Sequence, residues 1–314
     1  ATVYDARIYG IGSKYRALAR ANADIYIVTS ELGWIGAGVM GGDNLHPTQP
    51  ANNFYGDGAA RFRSTANLVN KWARSIICAS YADINSTRRN NLDTFLTSMG
   101  NNYYEAEGLF FFKTNHANNV FLDETFVGFC TNVGITFVAD SHIASNGTSQ
   151  VLTTSFRMDI QTDKMSQNDF YIMVKIKQNS TAAGTLGAIF GAFDGVTSIR
   201  LNQTAASNLS FQANNVTTTT WTGGDTKFLD DTSYGIFRNG TTAGILKNGV
   251  VVFSTTVAST GVLGNKFLRL FGNDNNGTVN QFLAAQAEWM IWGKYTTTNT
   301  LTVHNALEAR RIAY

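Results

Sequence analysis

The pair Asn248-Gly249 sits between two apolar runs, Gly244-Ile-Leu-Lys247 and Val250-Val-Val-Phe-Ser254. Both central residues of a type I′ turn need positive φ, and Asn-Gly meets that need at the lowest steric cost. The segment therefore predicts a β-hairpin, which commits this part of the chain to antiparallel sheet. Asn168–Gln178 (NDFYIMVKIKQ) adds a strand. Its Phe170, Ile172, Val174 and Ile176 fall on one face, and Lys175 and Lys177 on the other.

Similar runs recur at Thr185–Phe193, Thr197–Leu201, Leu209–Gln212, Tyr234–Arg238, Lys266–Phe271 and Glu288–Trp292. Short strands with polar turns and no helical period predict a two-sheet antiparallel sandwich. The order of these strands, ending in AAQAEWMIWGKY and a helical tail Leu301–Arg310, resembles a concanavalin A-like (laminin G-like) jelly roll over residues 140–314. That resemblance implies an all-β jelly-roll sandwich with a C-terminal helix, of a kind that binds glycans or proteins or caps an assembly. It does not say which face would bind.

The N-terminal part reads differently. Tyr15–Asp24 predicts a helix, Ile25–Thr29 a short buried strand, and residues 31–42 a glycine-rich loop. Asp57 is placed to cap a long helix whose Phe62, Ala66, Val69, Ala73 and Ile76 form one apolar face. Between loop and helix lies Asp43-Asn-Leu-His46-Pro47. A carboxylate three residues before a histidine on a turn can accept the Nδ1 proton, leaving Nε2 free as a base. The same two residues also suit a plain turn, with Asp43 capping and His46 packing beside it.

Helix, strand, glycine loop, D-x-x-H-P and helix together resemble the last segment of an SGNH (GDSL-type) hydrolase. The fold class expected for the whole chain is thus an α/β C-terminal fragment of an SGNH-hydrolase-like domain, followed by the all-β sandwich. The expected boundaries are 1–84 for that segment, 85–139 for a connecting region with short strands, and 140–314 for the sandwich. The resemblance gives His46 the role of base and Asp43 that of orienter. Only 42 residues precede Asp43, and they hold no G-D-S and no G-x-N-D. The nucleophilic serine would then come from a missing N-terminal segment or a companion chain, or else the domain is degenerate. Gly134–Gly147 imitates a nucleophile block at Asp140-Ser141, but a Thr/Ser-rich strand follows where the family has a helix. Ser141 is therefore read as an ordinary turn serine.

Composition closes off other classes. Charged residues make up 15% of 314, the net charge is +2 and no basic run stands out, so nucleic acid is not an expected partner. No apolar run reaches the roughly 18 residues of a membrane span. Cys78 and Cys130 are too few for a disulfide framework and read as buried free thiols. His116, His142 and His304 lack ligands at metal spacing, so neither a metal nor another cofactor is expected. Asp274-Asn-Asn-Gly277 lacks the distal glutamate of a calcium loop and reads as a turn. Trp289 and Trp292 point to opposite faces of one strand, which makes at least one of them core.

Trp221, within TTTTWTGGD, is the candidate carbohydrate-binding residue, as a tryptophan among polar loop residues offers a ring face for stacking. The two resemblances together imply a bacteriophage tail spike or fibre component, on the virion tail or extracellular, that handles a host polysaccharide. It would carry an esterase half-site and act as a homo-oligomer or with a companion chain. The alternative is a non-enzymatic glycan-binding or structural adhesin module.

Overall fold

The computed structural model describes residues 86–114, 124, 130–157, 165–258, 264, 266–275 and 277–313. The expectations for residues 1–84, including Asp43, His46 and Cys78, lie outside them. Among the described residues the chain forms two sheets packed face to face, with helices on one outer side.

The first sheet holds β1 (Ala106–Phe111), β3 (Thr136–Val138), β4 (His142–Ala144), β6 (Asp169–Asn179), β11 (Thr232–Asn239), β12 (Thr242–Lys247), β13 (Val250–Thr256) and β17 (Ala285–Gly293). The second holds β2 (Thr131–Val133), β5 (Val151–Thr153), β7 (Gly187–Phe193), β8 (Ser198–Gln203), β9 (Leu209–Asn215), β10 (Thr219–Trp221), β14 (Arg269–Leu270), β15 (Asn273–Asn275) and β16 (Thr278–Asn280). Strand order is β13-β12-β11-β6-β17-β4-β3 in the first, with β1 also on β17. In the second it is β10-β9-β8-β7-β14-β5-β2, with the β15–β16 hairpin attached to β7. Pairing is antiparallel except between β15 and β7. The stretch 85–139 supplies β1 and β3 to the first sheet and β2 to the second.

The expected hairpin is present. Asn248 and Gly249 have φ of 50° and 76°, as a type I′ turn demands. The turn also docks on the C-terminal helix, where Thr300 Oγ1 donates to the Gly249 carbonyl at 2.9 Å.

Three helices are described: α1 (Ser86–Met99), α2 (Asn102–Glu105) and α3 (Asn299–Ala313). Gly100 ends α1 in an αL cap, with φ of 51° and its N–H donating to Leu96 O at 3.0 Å. Reciprocal bonds fix the start of α3: Thr296 N to Asn299 Oδ1 at 3.0 Å, and Asn299 N to Thr296 Oγ1 at 3.2 Å.

Strand β6 is buried on both faces. Phe170, Ile172, Val174 and Ile176 enter the core between the sheets, while Tyr171 and Met173 join a second core with Leu92, Phe95, Val303 and Leu307 of the helices. Lys175 and Lys177 predict a polar second face; α3 covers it instead. Lys175 is only 2% exposed and pairs with Glu308 Oε2 and Asp231 Oδ1, each at 3.0 Å. Trp292 belongs to the inter-sheet core and Trp289 to the helix core, so neither is open for stacking. Cys130 is half-buried against the first core rather than fully enclosed.

Arg310 fastens α3 from below. Its Nη2 donates to Glu124 Oε1 at 2.7 Å, and its guanidinium lies over Phe111 and Phe95, 3.9 and 4.8 Å from the ring centroids. Ring faces carry negative potential and favour a cation placed there.

Candidate functional site

The outer face of the second sheet stands apart from the rest of the molecule. Residues directly opposite across a sheet share a face. Register therefore places Leu152, Leu270, Phe190, Leu201 and Phe211 in one row, and all five are in the inter-sheet core. The neighbouring row must point outward, and it reads Thr153, Arg269, Gly191, Arg200, Gln212. Beside it Asn202, Ser210 and Thr220 form a second outward row. No helix covers these positions among the described residues, unlike the outer face of the first sheet.

This face gathers polar atoms that lack partners. Twelve buried side-chain nitrogen or oxygen atoms among the described residues make no hydrogen bond. Six of them are here: Thr153 Oγ1, Arg200 Nε, Asn202 Oδ1, Ser210 Oγ, Arg269 Nε and Asn273 Oδ1. A buried polar group left unpaired costs on the order of 1–3 kcal/mol, so native structures rarely cluster them without a reason. Asn273 reaches the row because Gly191 has no side chain. A Cβ at Gly191 would lie 2.4 Å from Asn273 Oδ1.

The two arginines differ in their surroundings. Arg269 Nη2 is 3.4 Å from Asp274 Oδ2. Arg200 Nη2 donates to Thr218 Oγ1 at 2.8 Å and has no carboxylate within ion-pair distance among the described residues. Thr218 directly precedes β10, and β9 lies between β8 and β10, so the Arg200 side chain must cross over β9. That explains how Ser210 and Gln212 of β9 are only 1% and 4% exposed. Burial pushes the Arg200 pKa down, though a guanidinium stays protonated in proteins. Asp274 is committed to its turn, where Oδ1 accepts from Gly277 N at 2.7 Å.

Trp221 lies elsewhere. It ends β10 opposite Leu209, on the core-facing side, and packs half-buried against the inter-sheet core. One ring face is against Gly224, where an added Cβ would meet indole atoms 2.1–2.7 Å away. The loop after it is pinned by Asp225, which accepts from Lys247 Nζ at 3.0 Å and from the Tyr234 hydroxyl. The sequence reading expects an open ring in a loop; the structure has a strand-end ring closed on one face.

Ser141 Oγ lies 2.8 Å from His142 Nδ1 and accepts from Lys177 Nζ. Lys177 Nζ is also 3.2 Å from that same Nδ1. Burial, then the Lys177 charge, holds the His142 pKa below its usual value. Taking the serine proton would put an imidazolium beside an ammonium, which works against His142 as a base. The geometry fits a turn serine.

The polar face is the feature that sequence reading missed. Its signal is present in SIRLNQ and LSFQANN, where Arg200, Asn202, Ser210 and Gln212 alternate with core residues. Such alternation reads as an ordinary solvated face until burial shows that the atoms are enclosed.

No protein-family model matches the chain. No curated protein matches it either. Among solved structures it is similar to a mutant of Trypanosoma rangeli sialidase displaying trans-sialidase activity, with a TM-score of 0.51 and 9% identity. That match covers 71% of this chain and 39% of the sialidase. Domain 4 of AbnA, an extracellular arabinanase from Geobacillus stearothermophilus solved with arabinotriose, gives a TM-score of 0.42 at 15% identity, covering 64% of this chain and 98% of that domain. A structure concerned with cell entry of botulinum neurotoxin type C gives 0.49 at 12% identity, covering 67% of this chain and 53% of the toxin chain. At 9% identity the likeness to the sialidase is one of fold, in keeping with an all-β sandwich.

Proposed function

We propose that this sandwich is a glycan-binding module whose ligand lies across the outer face of the second sheet. The observation that carries the reading is the cluster of six enclosed, unpartnered polar atoms on one sheet face. Sugars present many hydroxyls at close spacing, each both donor and acceptor, and suit such a mixed array of amide, hydroxyl and guanidinium groups. The fold is in keeping with this, since the sialidase mutant of similar fold is named for an activity on glycans. Binding of a panel of polysaccharides, by array and then by calorimetry, tests the proposal. The double variant Asn202→Ala/Asn273→Ala is expected to weaken any binding at least tenfold while keeping the melting temperature. Binding that ignores this variant would place the ligand elsewhere.

We also propose, from the sequence, that the module works within a bacteriophage tail spike or fibre, on the virion tail or extracellular, as a homo-oligomer or with a companion chain. In that setting Asp43 and His46 would serve an ester hydrolase: His46 takes and returns a proton, Asp43 holds the ring, and a serine from outside this chain attacks the carbonyl. Residues 1–314 alone are then expected not to cleave p-nitrophenyl acetate. Cleavage abolished by His46→Ala would show that the nucleophile is in this chain. Trp221 retains its part-exposed edge as a secondary contact, tested by Trp221→Ala in the same binding assay.

A further inference from the structure

The geometry points to Arg200 as a reader of sugar carboxylates, so that the module selects acidic polysaccharides over neutral ones; this rests on the polar face being the glycan site. A guanidinium offers five N–H donors in a planar fork that matches a carboxylate. Arg200 uses one donor on a single hydroxyl, Thr218 Oγ1, and its Nε has no partner. Arg269, two strands away in the same row, is already paired with Asp274. Among the described residues the face therefore has two cations and one anion, and the charge without a counterpart is on Arg200.

The space beside it is also suitable. Gly191 lies between the two arginines in the row and contributes no side chain, and the atoms nearest to it on that face belong to Asn273. Strands two apart are separated by roughly 9.5 Å, about the width of one or two sugar rings. Asn202 Oδ1 and Ser210 Oγ, in the next outward row, are enclosed and without partners, and would meet ring hydroxyls once the Arg200 side chain moves. A carboxylated sugar seated there would give Arg200 the bidentate partner it lacks. It would also draw the side chain off Thr218 and uncover β9.

Calorimetry with polygalacturonate, polysialic acid and hyaluronan, against dextran and dextran sulfate, tests this on the full chain. At least one of the three carboxylated polymers is expected to bind more tightly than dextran, and Arg200→Gln to weaken it about tenfold or more. Arg200→Lys, which keeps the charge and loses the fork, is expected to recover only part of the affinity. Thr218→Val releases the tether and is expected to keep or improve binding. A purely structural Arg200–Thr218 bond would instead make Thr218→Val as harmful as Arg200→Gln. Equal binding of dextran, binding of dextran sulfate alone, or carboxylate binding unaffected by Arg200→Gln would each overturn the assignment. The first or last of these, if still abolished by Asn202→Ala/Asn273→Ala, leaves the glycan site itself standing. Failure of every polymer removes both.

Discussion

The indole N–H of Trp289 donates to Glu308 Oε1 at 3.0 Å, tying the middle of β17 to α3. The other oxygen, Oε2, meets Lys175 Nζ at 3.0 Å and Arg311 Nη2 at 2.8 Å. One carboxylate thus collects bonds from a strand tryptophan, a strand lysine and its own helix.

Burial raises the Glu308 pKa, but Arg311, Lys175 and Trp289 together bring it below the usual carboxylate range. A depressed acid contributes stability above its unfolded pKa of about 4.3, and that contribution disappears as pH falls through the lower folded value. Glu308→Gln is expected to cost roughly 2 kcal/mol at pH 7, less than the loss of a fully buried pair. Urea titrations at pH 7 and pH 3 should show that the difference between variant and parent shrinks in acid.

Glu288, also on β17, has the opposite sign. Burial raises its pKa, with Arg311 and the lysines 113, 175 and 177 only partly offsetting it. Its Oε2 is 3.3 Å from Arg311 Nη1 yet makes no hydrogen bond. A raised acid favours the folded state at low pH and loses that advantage as pH rises through its folded pKa. Glu288→Gln is therefore expected to leave stability at pH 7 unchanged or raise it by up to about 1 kcal/mol. Denaturant midpoints measured beside those of Glu308→Gln should separate the two glutamates.

Arg238 is fully enclosed, and its guanidinium donates to four carbonyls: Ala213 at 2.7 Å, Asn214 at 2.8 Å, Gly240 at 3.0 Å and Ala258 at 3.3 Å. It fastens the end of β9 in one sheet to β11 in the other. Arg238→Met keeps most of the volume but abandons those acceptors, at an expected cost of roughly 3 kcal/mol or more. Thermal unfolding checks the loss, and hydrogen exchange should report it first at residues 213–215.

Gly249 has both a left-handed backbone and no room. A Cβ there would lie 2.7 Å from Thr300 O and from His304 Cβ. Gly249→Ala is expected to cost roughly 2 kcal/mol or more through φ strain and the lost seat of the hairpin on α3. Asn248→Gly, which tolerates the same φ, should cost less, mainly the Asn248 Oδ1 bond from Ser233 N. Melting temperatures of the pair decide.

Much of the sandwich was readable because local chemistry and final structure agree. Asn248-Gly249 can do little but turn, and Phe170, Ile172, Val174 and Ile176 share one face, which meets the inter-sheet core. What escaped depends on neighbours far away in sequence. Lys175 gives no sign that Glu308, 133 residues later, will cover it. Trp221 in a threonine-rich stretch looks like loop until Thr219–Trp221 pairs with Leu209–Phe211. The polar face is legible strand by strand, but its enclosure arises only when Arg200 crosses β9 to Thr218. Asp43 and His46 lie outside the described residues, so their pairing has only sequence to speak for it.

Because β6 presents side chains to two separate interiors, the C-terminal helix is not an ornament on a finished sandwich. Trimming the chain ahead of Asn299 would strip Met173, Trp289 and Ile291 of their cover and leave Lys175 without its glutamate. Anyone wishing to transplant the sandwich onto another scaffold must carry residues 299–313 along with it.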